Sequence, residues 1–275
     1  MSSLMRINAN IQARKARESL LNTNEKLLDH QNKLATGKRI NSSAEDPAGY
    51  HLANSLKRRK KGLDMALNNV ENADKILNIA EGGYENVMDL LQTIKEKATQ
   101  AADYSLSSSQ RKAIDVQVEA LISEVDDTVN ETVFNGKQLL DGTFEGKFHT
   151  GERANDELKV SLQNVDSNAL SLDQIDLSTQ HGASTAIQTT SEAINKMSSY
   201  IQDVGEYKVR LDSKSQSLQN NITNTEAVRS SIEDADFANQ QMQVSKLKIL
   251  QQTSVSSMTQ ANSSPQVVLS LFQGG

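Results

Sequence analysis

Histidine is the first residue type to weigh, because imidazole serves both as a metal ligand and as a proton carrier near neutral pH. His30, His51, His149 and His181 are scattered along the 275 residues, with no two at ligand spacing. They read as solvent-facing side chains. Adjacent acids come next, since paired carboxylates are what general acid–base chemistry needs. Asp126-Asp127, and Glu233-Asp234 with Asp236, have the right types. On amphipathic helices such groups are more often solvated faces or salt-bridge partners. No Gly-x-Ser-x-Gly elbow, His-Glu-x-x-His pair, Gly-x-Gly-x-x-Gly turn or phosphate-binding loop occurs. Cysteine is absent, which removes disulfides, thiolate metal sites and cysteine nucleophiles. The residues point away from an enzyme and imply neither cofactor nor metal.

Charge offers one sharper feature. Lys57-Arg58-Arg59-Lys60-Lys61 is a run of five cations. It suits an anionic surface, or else a helix face that meets acidic neighbours in the same chain or in another subunit. The whole chain carries 29 basic and 35 acidic residues, a net charge of −6, and its pI is about 5.3. That balance opposes a general nucleic-acid binder, which needs a basic surface. We take the run as a candidate intersubunit charge patch. No stretch approaches the roughly 18 apolar residues of a membrane span, and Met1–Asn8 shows no apolar leader region. The expectation is a soluble protein with no membrane insertion, exported, if at all, by another route.

The elements that carry these residues follow from periodicity. Leu63, Leu67, Val70, Ala73, Leu77, Ala80, Tyr84, Val87, Leu91, Ile94, Ala98 and Ala101 recur at alternating steps of three and four. Such spacing keeps one stripe facing a partner helix. Leu52 and Leu56 extend the stripe backwards. Asp46-Pro47 suits an N-cap with Pro in the first turn, and Ser42 with Glu45 offers a competing capping box. The prediction is a helix from about residue 46 to about residue 103, roughly 85 Å long. A second helix carries Val118, Ile122, Val125 and Val129. A third carries Ile187, Ile194, Met197, Ile201, Val204, Leu211, Leu218, Ile222, Val228 and Ile232, interrupted at Lys208, Ser215 and Thr225. Between about residues 136 and 183 the helical period is lost. Leu158, Val160 and Leu162 alternate as in a half-buried strand, and Ala154-Asn155-Asp156 suits a hairpin turn back to Lys147–Thr150.

Both ends are amphipathic. Ile7, Ile11, the doublets Leu20-Leu21 and Leu27-Leu28, and Leu34 mark the amino-terminal helix. Phe237, Val244, Leu247, Leu250 and Met258, then Leu269, Leu271 and Phe272, mark the carboxy-terminal one. A lone amphipathic helix can lie on a membrane, but these stripes are poor in aromatics and their polar faces are poor in Lys. The economical solution is that they pair with each other and with further copies, folding as they assemble. The fold class is therefore mainly α: a long coiled-coil-like helical bundle with paired N- and C-terminal helices and a small β-hairpin insert. Aromatics at 4%, no Trp and only 2 Pro fit that reading.

The ends also resemble the bacterial flagellins. Arg6-Ile7-Asn8-Ala9-Asn10 is similar to the family's opening. Leu34-Ala35-Thr36-Gly37-Lys38-Arg39-Ile40-Asn41, with Glu45-Asp46-Pro47-Ala48-Gly49, resembles its LSSGxRINxAxDDAAG block. Phe134-Asn135-Gly136 resembles the turn after its second core helix. Ser231-Ile232-Glu233-Asp234-Ala235-Asp236-Phe237, Ile249-Leu250-Gln251-Gln252, Gln260-Ala261-Asn262 and Val268-Leu269-Ser270-Leu271 resemble its carboxy-terminal block. Residues 1–140 and 185–275 are covered.

The resemblance implies a secreted subunit that polymerises into the flagellar filament, whether that filament is extracellular, sheathed or periplasmic. It divides the chain into an inner core (1–42 with 235–275), an outer core (43–140 with 185–234) and a short variable β-containing segment (141–184). It implies type III export, an export chaperone at the C-terminal helix, and filament cap and hook-junction partners. Many flagellins are sensed by an innate Toll-like receptor through an LQRVRELAVQ segment. The matching stretch here has Thr93 for the first Arg and Lys97 for the central Leu, beside Lys95 and Glu96. A contributing Glu on the second helix aligns with Gln117. A lost guanidinium removes a bidentate donor, so weak or absent activation is the expectation. A hook–filament junction protein and a stand-alone coiled-coil binding module remain the rival readings.

Overall fold

The computed structural model describes residues 10–273, with side chains described as far as residue 263. The described chain forms α1 (Ile11–Thr36), α2 (Pro47–Ala101), α3 (Ser108–Glu131), strands β1 (Val133–Phe134), β2 (Lys137–Gln138), β3 (Glu145–His149) and β4 (Glu157–Ser161), then α4 (Gln180–Glu233) and α5 (Phe237–Gln273). Two compact units emerge: residues 1–58 with 225–275, and residues 59–224.

In the first unit α1 packs against α5. Asn10 caps α1, its Oδ1 accepting from the Ala13 N–H at 3.0 Å. Gly37 ends it in the left-handed conformation, φ 70°, which glycine reaches without steric cost. The start of α2 is decided by Asp46, whose Oδ1 accepts from the Gly49 N–H at 2.9 Å. The alternative Ser42 capping box does not form. Glu45 instead takes the Asn41 N–H at 2.8 Å. Leu52, expected on the stripe, is exposed, and the buried position of this first stretch is Ala53. The α5 backbone stays helical through Pro265 to Gln273.

The second unit is built on the remainder of α2. Of its twelve predicted stripe positions, eleven are buried and Leu67 is half-buried. They share a core with Val125 and Val129 of α3, and with Met197, Val204, Leu211 and Leu218 of α4. Ile94, Ala98 and Ala101 continue that side of α2 against Ile114, Val118, Ala183 and Ala186. Val228, predicted on the α4 stripe, is exposed, and Thr225 is buried instead. Ser107 with Gln110 makes a complete capping box for α3. Asn135 and Gly136, at φ 51° and 79°, form the two-residue turn between β1 and β2, with Phe134 opposite Lys137. Strands β3 and β4 are antiparallel with Phe148 opposite Leu158. Leu158 and Val160 point inward and Glu157, Lys159 and Ser161 outward, the alternation expected of a half-buried strand.

Side-chain anchors fix the irregular segment between α3 and α4. The buried Tyr84 hydroxyl donates to the Gln163 carbonyl and accepts from the Gln163 N–H, both at 2.9 Å. Burial, the largest influence on it, pushes this phenol above its ordinary value. Asp126 accepts from the Ser167 N–H and hydroxyl, both at 2.8 Å, and Asp115 from the Leu177 N–H at 2.8 Å. Lys208 interrupts the α4 stripe to reach Glu81 at 2.6 Å.

Two substitutions in α2 are expected to act with opposite sign. A Cβ at Gly83 would come within 2.7 Å of Leu140 Cδ1 and 2.9 Å of Thr132, whereas Gly82 faces open space. Leu140 is fully buried and has nowhere to swing. Gly82→Ala should stabilise by about 1 kcal/mol, and Gly83→Ala should destabilise by about 1–3 kcal/mol. Tyr84→Phe should cost about 1–3 kcal/mol through the unsatisfied Gln163 groups. Urea denaturation of the three variants checks all of these.

Candidate assembly surface

The described contact residues predicted on the terminal helices divide into three sets by exposure. Leu27 of α1 and Val244 and Leu247 of α5 close a small apolar core. Leu20, Leu34 and Met258 are half-buried. Ile11, Leu21, Leu28, Phe237 and Leu250 are exposed, Leu28 at 61%. Each leucine doublet is thereby split. Leu27 faces α5, and Leu28, one residue on and about 100° around the helix, does not. Ile7 lies outside the described residues, as do the side chains of Leu269, Leu271 and Phe272.

Polar contacts set the register of this pair. Gln251 Nε2 donates to Asn24 Oδ1 at 2.7 Å. His30 Nδ1 and Gln240 Oε1 are 2.6 Å apart, so the ring nitrogen carries the donated proton. Asn10 Nδ2 donates to the Ala261 carbonyl at 2.7 Å. These contacts were not anticipated from the sequence. Nor were Met242 and Ile249 of α5, which stand 65% and 64% exposed. Their spacing of seven residues was the available signal, since it puts both on one face. Leu21 and Leu28 on α1 have the same spacing. The pair thus covers one stripe of each helix and leaves a second stripe in water.

A charged clasp holds the segment after α1 to the break between α4 and α5. Arg39 N–H donates to the Glu233 carbonyl at 2.6 Å, and Ala235 N–H to the Gly37 carbonyl at 2.9 Å. Lys38 pairs with Glu233. Arg229 holds Glu233 at 2.5 Å and Glu226 at 2.8 Å. Burial works to raise the Glu233 carboxyl, but the bonds from Lys38 and Arg229 outweigh it and hold it below its ordinary value. Bonds to Glu226 and then Glu233 raise the Arg229 guanidinium in turn.

The other sequence candidates are placed as follows. Within the basic run, Arg59 Nε meets Glu152 Oε1 at 3.2 Å, so this cation has an acidic partner in its own chain. Lys57, Arg58 and Lys61 are exposed. Thr93, Lys95, Glu96 and Lys97 lie on α2 and Gln117 on α3, with Glu96 and Gln117 exposed. Thr93 spends its hydroxyl on the Asp89 carbonyl at 3.0 Å. Asp126 anchors the loop at Ser167. His51 and His181 are exposed. Among the described residues, no group of three or more His, Asp or Glu side chains is arranged to hold a metal ion.

Known proteins share the sequence of both helical regions. The model of the bacterial flagellin N-terminal helical region fits residues 7–145, and that of the C-terminal helical region fits residues 187–272. The chain belongs to the bacterial flagellin family. It is 32% identical to the flagellin of Listeria monocytogenes over 98% of this chain and 99% of that protein. It is 30% identical to the flagellin of Bacillus subtilis, over 98% and 100%. Among solved structures, a putative flagellar hook-associated protein from Vibrio parahaemolyticus is similar in fold, with TM-score 0.59 over 69% of this chain and all of that one, at 13% identity. In this flagellin-family chain the first family model takes in α1, α2 and α3 and stops at the start of β3, the second runs from α4 into α5, and the segment between them holds the β3–β4 hairpin.

The clasp gives a pH dependence. Glu233 is held below its ordinary 4.5 in the folded unit. Its contribution is complete above that value and is lost as the pH falls through the lowered one. Glu233→Gln should therefore be less stable than the parent at neutral pH, and the gap should close as the pH falls below 4.5 and through the lowered value. Thermal melts followed by circular dichroism at stepped pH check it.

Proposed function

We propose that this chain is a structural subunit that polymerises into the bacterial flagellar filament and acts in motility by assembly. The observation that carries the reading is the unequal cover of the terminal helices. The α1–α5 pair buries Leu27, Val244 and Leu247 and leaves Leu21, Leu28, Met242 and Ile249 in water. Burying such a side chain contributes about 1.5–3 kcal/mol, and further copies supply the cover. Contacts between different surfaces of successive subunits do not close, and so build a filament rather than a ring.

In this reading residues 1–42 with 235–275 form the inner core of the polymer, 43–140 with 185–234 its outer core, and 141–184 a reduced variable segment. The exposed cations Lys57, Arg58 and Lys61 meet acidic groups of a neighbouring subunit. Export runs through the flagellar type III apparatus, with a chaperone masking the carboxy-terminal helix before export and cap and hook-junction proteins met afterwards. The chain has no catalytic role. Thr93, Lys97 and Gln117 depart from the receptor-binding pattern of other flagellins, so innate-receptor activation is weak. Full potency in a cell reporter at ordinary flagellin doses would overturn that point. The likeness to the hook-associated structure concerns the fold alone and supports no second reading.

The test is polymerisation under salting-out conditions, viewed by negative-stain microscopy. The full chain should give long helical filaments, and a chain lacking residues 236–275 should stay monomeric. The double substitution Leu21→Asn with Leu28→Asn should raise the critical concentration by at least about tenfold. Persistent monomers from the full chain with seeds present would overturn the reading.

A further inference from the structure

We infer that the Asn135–Gly136 turn is a site of spontaneous covalent modification, at which the asparagine amide is converted to aspartate and isoaspartate. Four observations meet there and nowhere else among the described residues. It is the single Asn-Gly step in the sequence, and glycine offers no side chain to obstruct ring closure. Both residues are exposed, and the space a Cβ would fill at Gly136 is open. The turn has positive φ at both positions and stands outside any helix. The ladder that closes it is short: it pairs Val133 with Gln138 and Phe134 with Lys137, with one further bond from the Leu139 N–H to the Thr132 carbonyl at 3.1 Å. Opening so short a ladder exposes the range of backbone angles that the reaction needs.

The Asn-Ser steps and the Asp-Gly step are all restrained. Asn41-Ser42 has its amide bonded to the Lys38 carbonyl at 3.2 Å. Asn54-Ser55 and Asn262-Ser263 lie inside α2 and α5, where the helical backbone keeps the following nitrogen away from the side chain. Asp141-Gly142, which isomerises by the same ring closure, has its carboxylate held by the Thr143 N–H at 2.9 Å and the Thr143 hydroxyl at 2.8 Å. A Cβ at Gly142 would meet Asn164 at 2.9 Å, so that turn is also packed.

The reaction balances with water alone. Hydroxide removes the Gly136 amide proton, and the nitrogen attacks Asn135 Cγ. The N–Cγ bond forms, the Cγ–Nδ2 bond breaks, and ammonia leaves with a proton from water, which restores the hydroxide. One water then opens the five-membered succinimide at either carbonyl, giving aspartate or isoaspartate. The net change is one water in and one ammonia out, with no oxidation or reduction. Isoaspartate adds a methylene to the main chain of a two-residue turn. Phe134 and Lys137 can then no longer sit opposite one another. The strain falls directly on Leu139 and Leu140, which are fully buried just after β2.

Purified full-length protein is held in warm, mildly alkaline buffer, beside Asn135→Ala. Peptide mass spectrometry follows each amide, and isoaspartate is counted by enzymatic methyl transfer. The expected result is amide loss at Asn135 several-fold faster than at Asn41 or Asn54, rising with hydroxide concentration, with methyl acceptance abolished in Asn135→Ala. An amide at Asn135 that outlasts those of Asn41 and Asn54, or methyl acceptance unchanged in the variant, would overturn the inference.

Discussion

A narrow apolar stripe on a long helix can be buried only by another helix, and the whole molecule answers to that constraint. Tryptophan is absent and aromatics are few, so no bulky cluster can gather a rounded core. Stability has to be collected along the helix length from Leu, Ile, Val and Ala instead. The second unit does this with the α2 stripe, which draws in side chains of α3, α4 and the β3–β4 hairpin. The first unit has only α1 and α5 to work with. Its described apolar core is correspondingly thin, and polar pairs such as Asn24 with Gln251 carry much of its register.

Asp126 and Glu233, two of the acids that first suggested chemistry, turn out to be fasteners, and Asp115 is a third. Asp126 and Asp115 each receive a backbone N–H from the segment that leaves the helical bundle. Glu233 is gripped by two cations at the junction of α4 and α5. These are tasks for an ionised carboxylate in a half-buried place, where charge-assisted bonds are stronger than neutral ones. An irregular segment has backbone groups to satisfy, and a carboxylate on the neighbouring helix is the nearest strong acceptor.

Much of this was legible in the residues. The α2 stripe repeats for so long that its buried face could be named almost position by position. The β3–β4 hairpin was visible in the alternation of Leu158, Val160 and Leu162. Three things were not. The doublets Leu20-Leu21 and Leu27-Leu28 offer two faces of similar hydropathy, and only the position of α5 chooses between them. Leu52 and Val228 extend the stripes of α2 and α4 in sequence, yet they stand in water while Ala53 and Thr225 are buried. Periodicity records what a helix can bury, not where its partner lies. Lastly, the pairs Asn24–Gln251, His30–Gln240 and Lys38–Glu233 join residues about two hundred positions apart. No local pattern announces contacts of that range.

That range sets a timetable for the chain. The second unit is complete once residue 224 has been made, and its hairpins can close as soon as they exist. Asn10, by contrast, bonds to Ala261, 251 residues further on. Closing so large a loop costs entropy before any contact repays it. During synthesis, then, α1 is made long before the α5 that covers it. It waits with Leu27 uncovered while α2, α3 and α4 are built, and closes only once Val244 and Leu247 are in place.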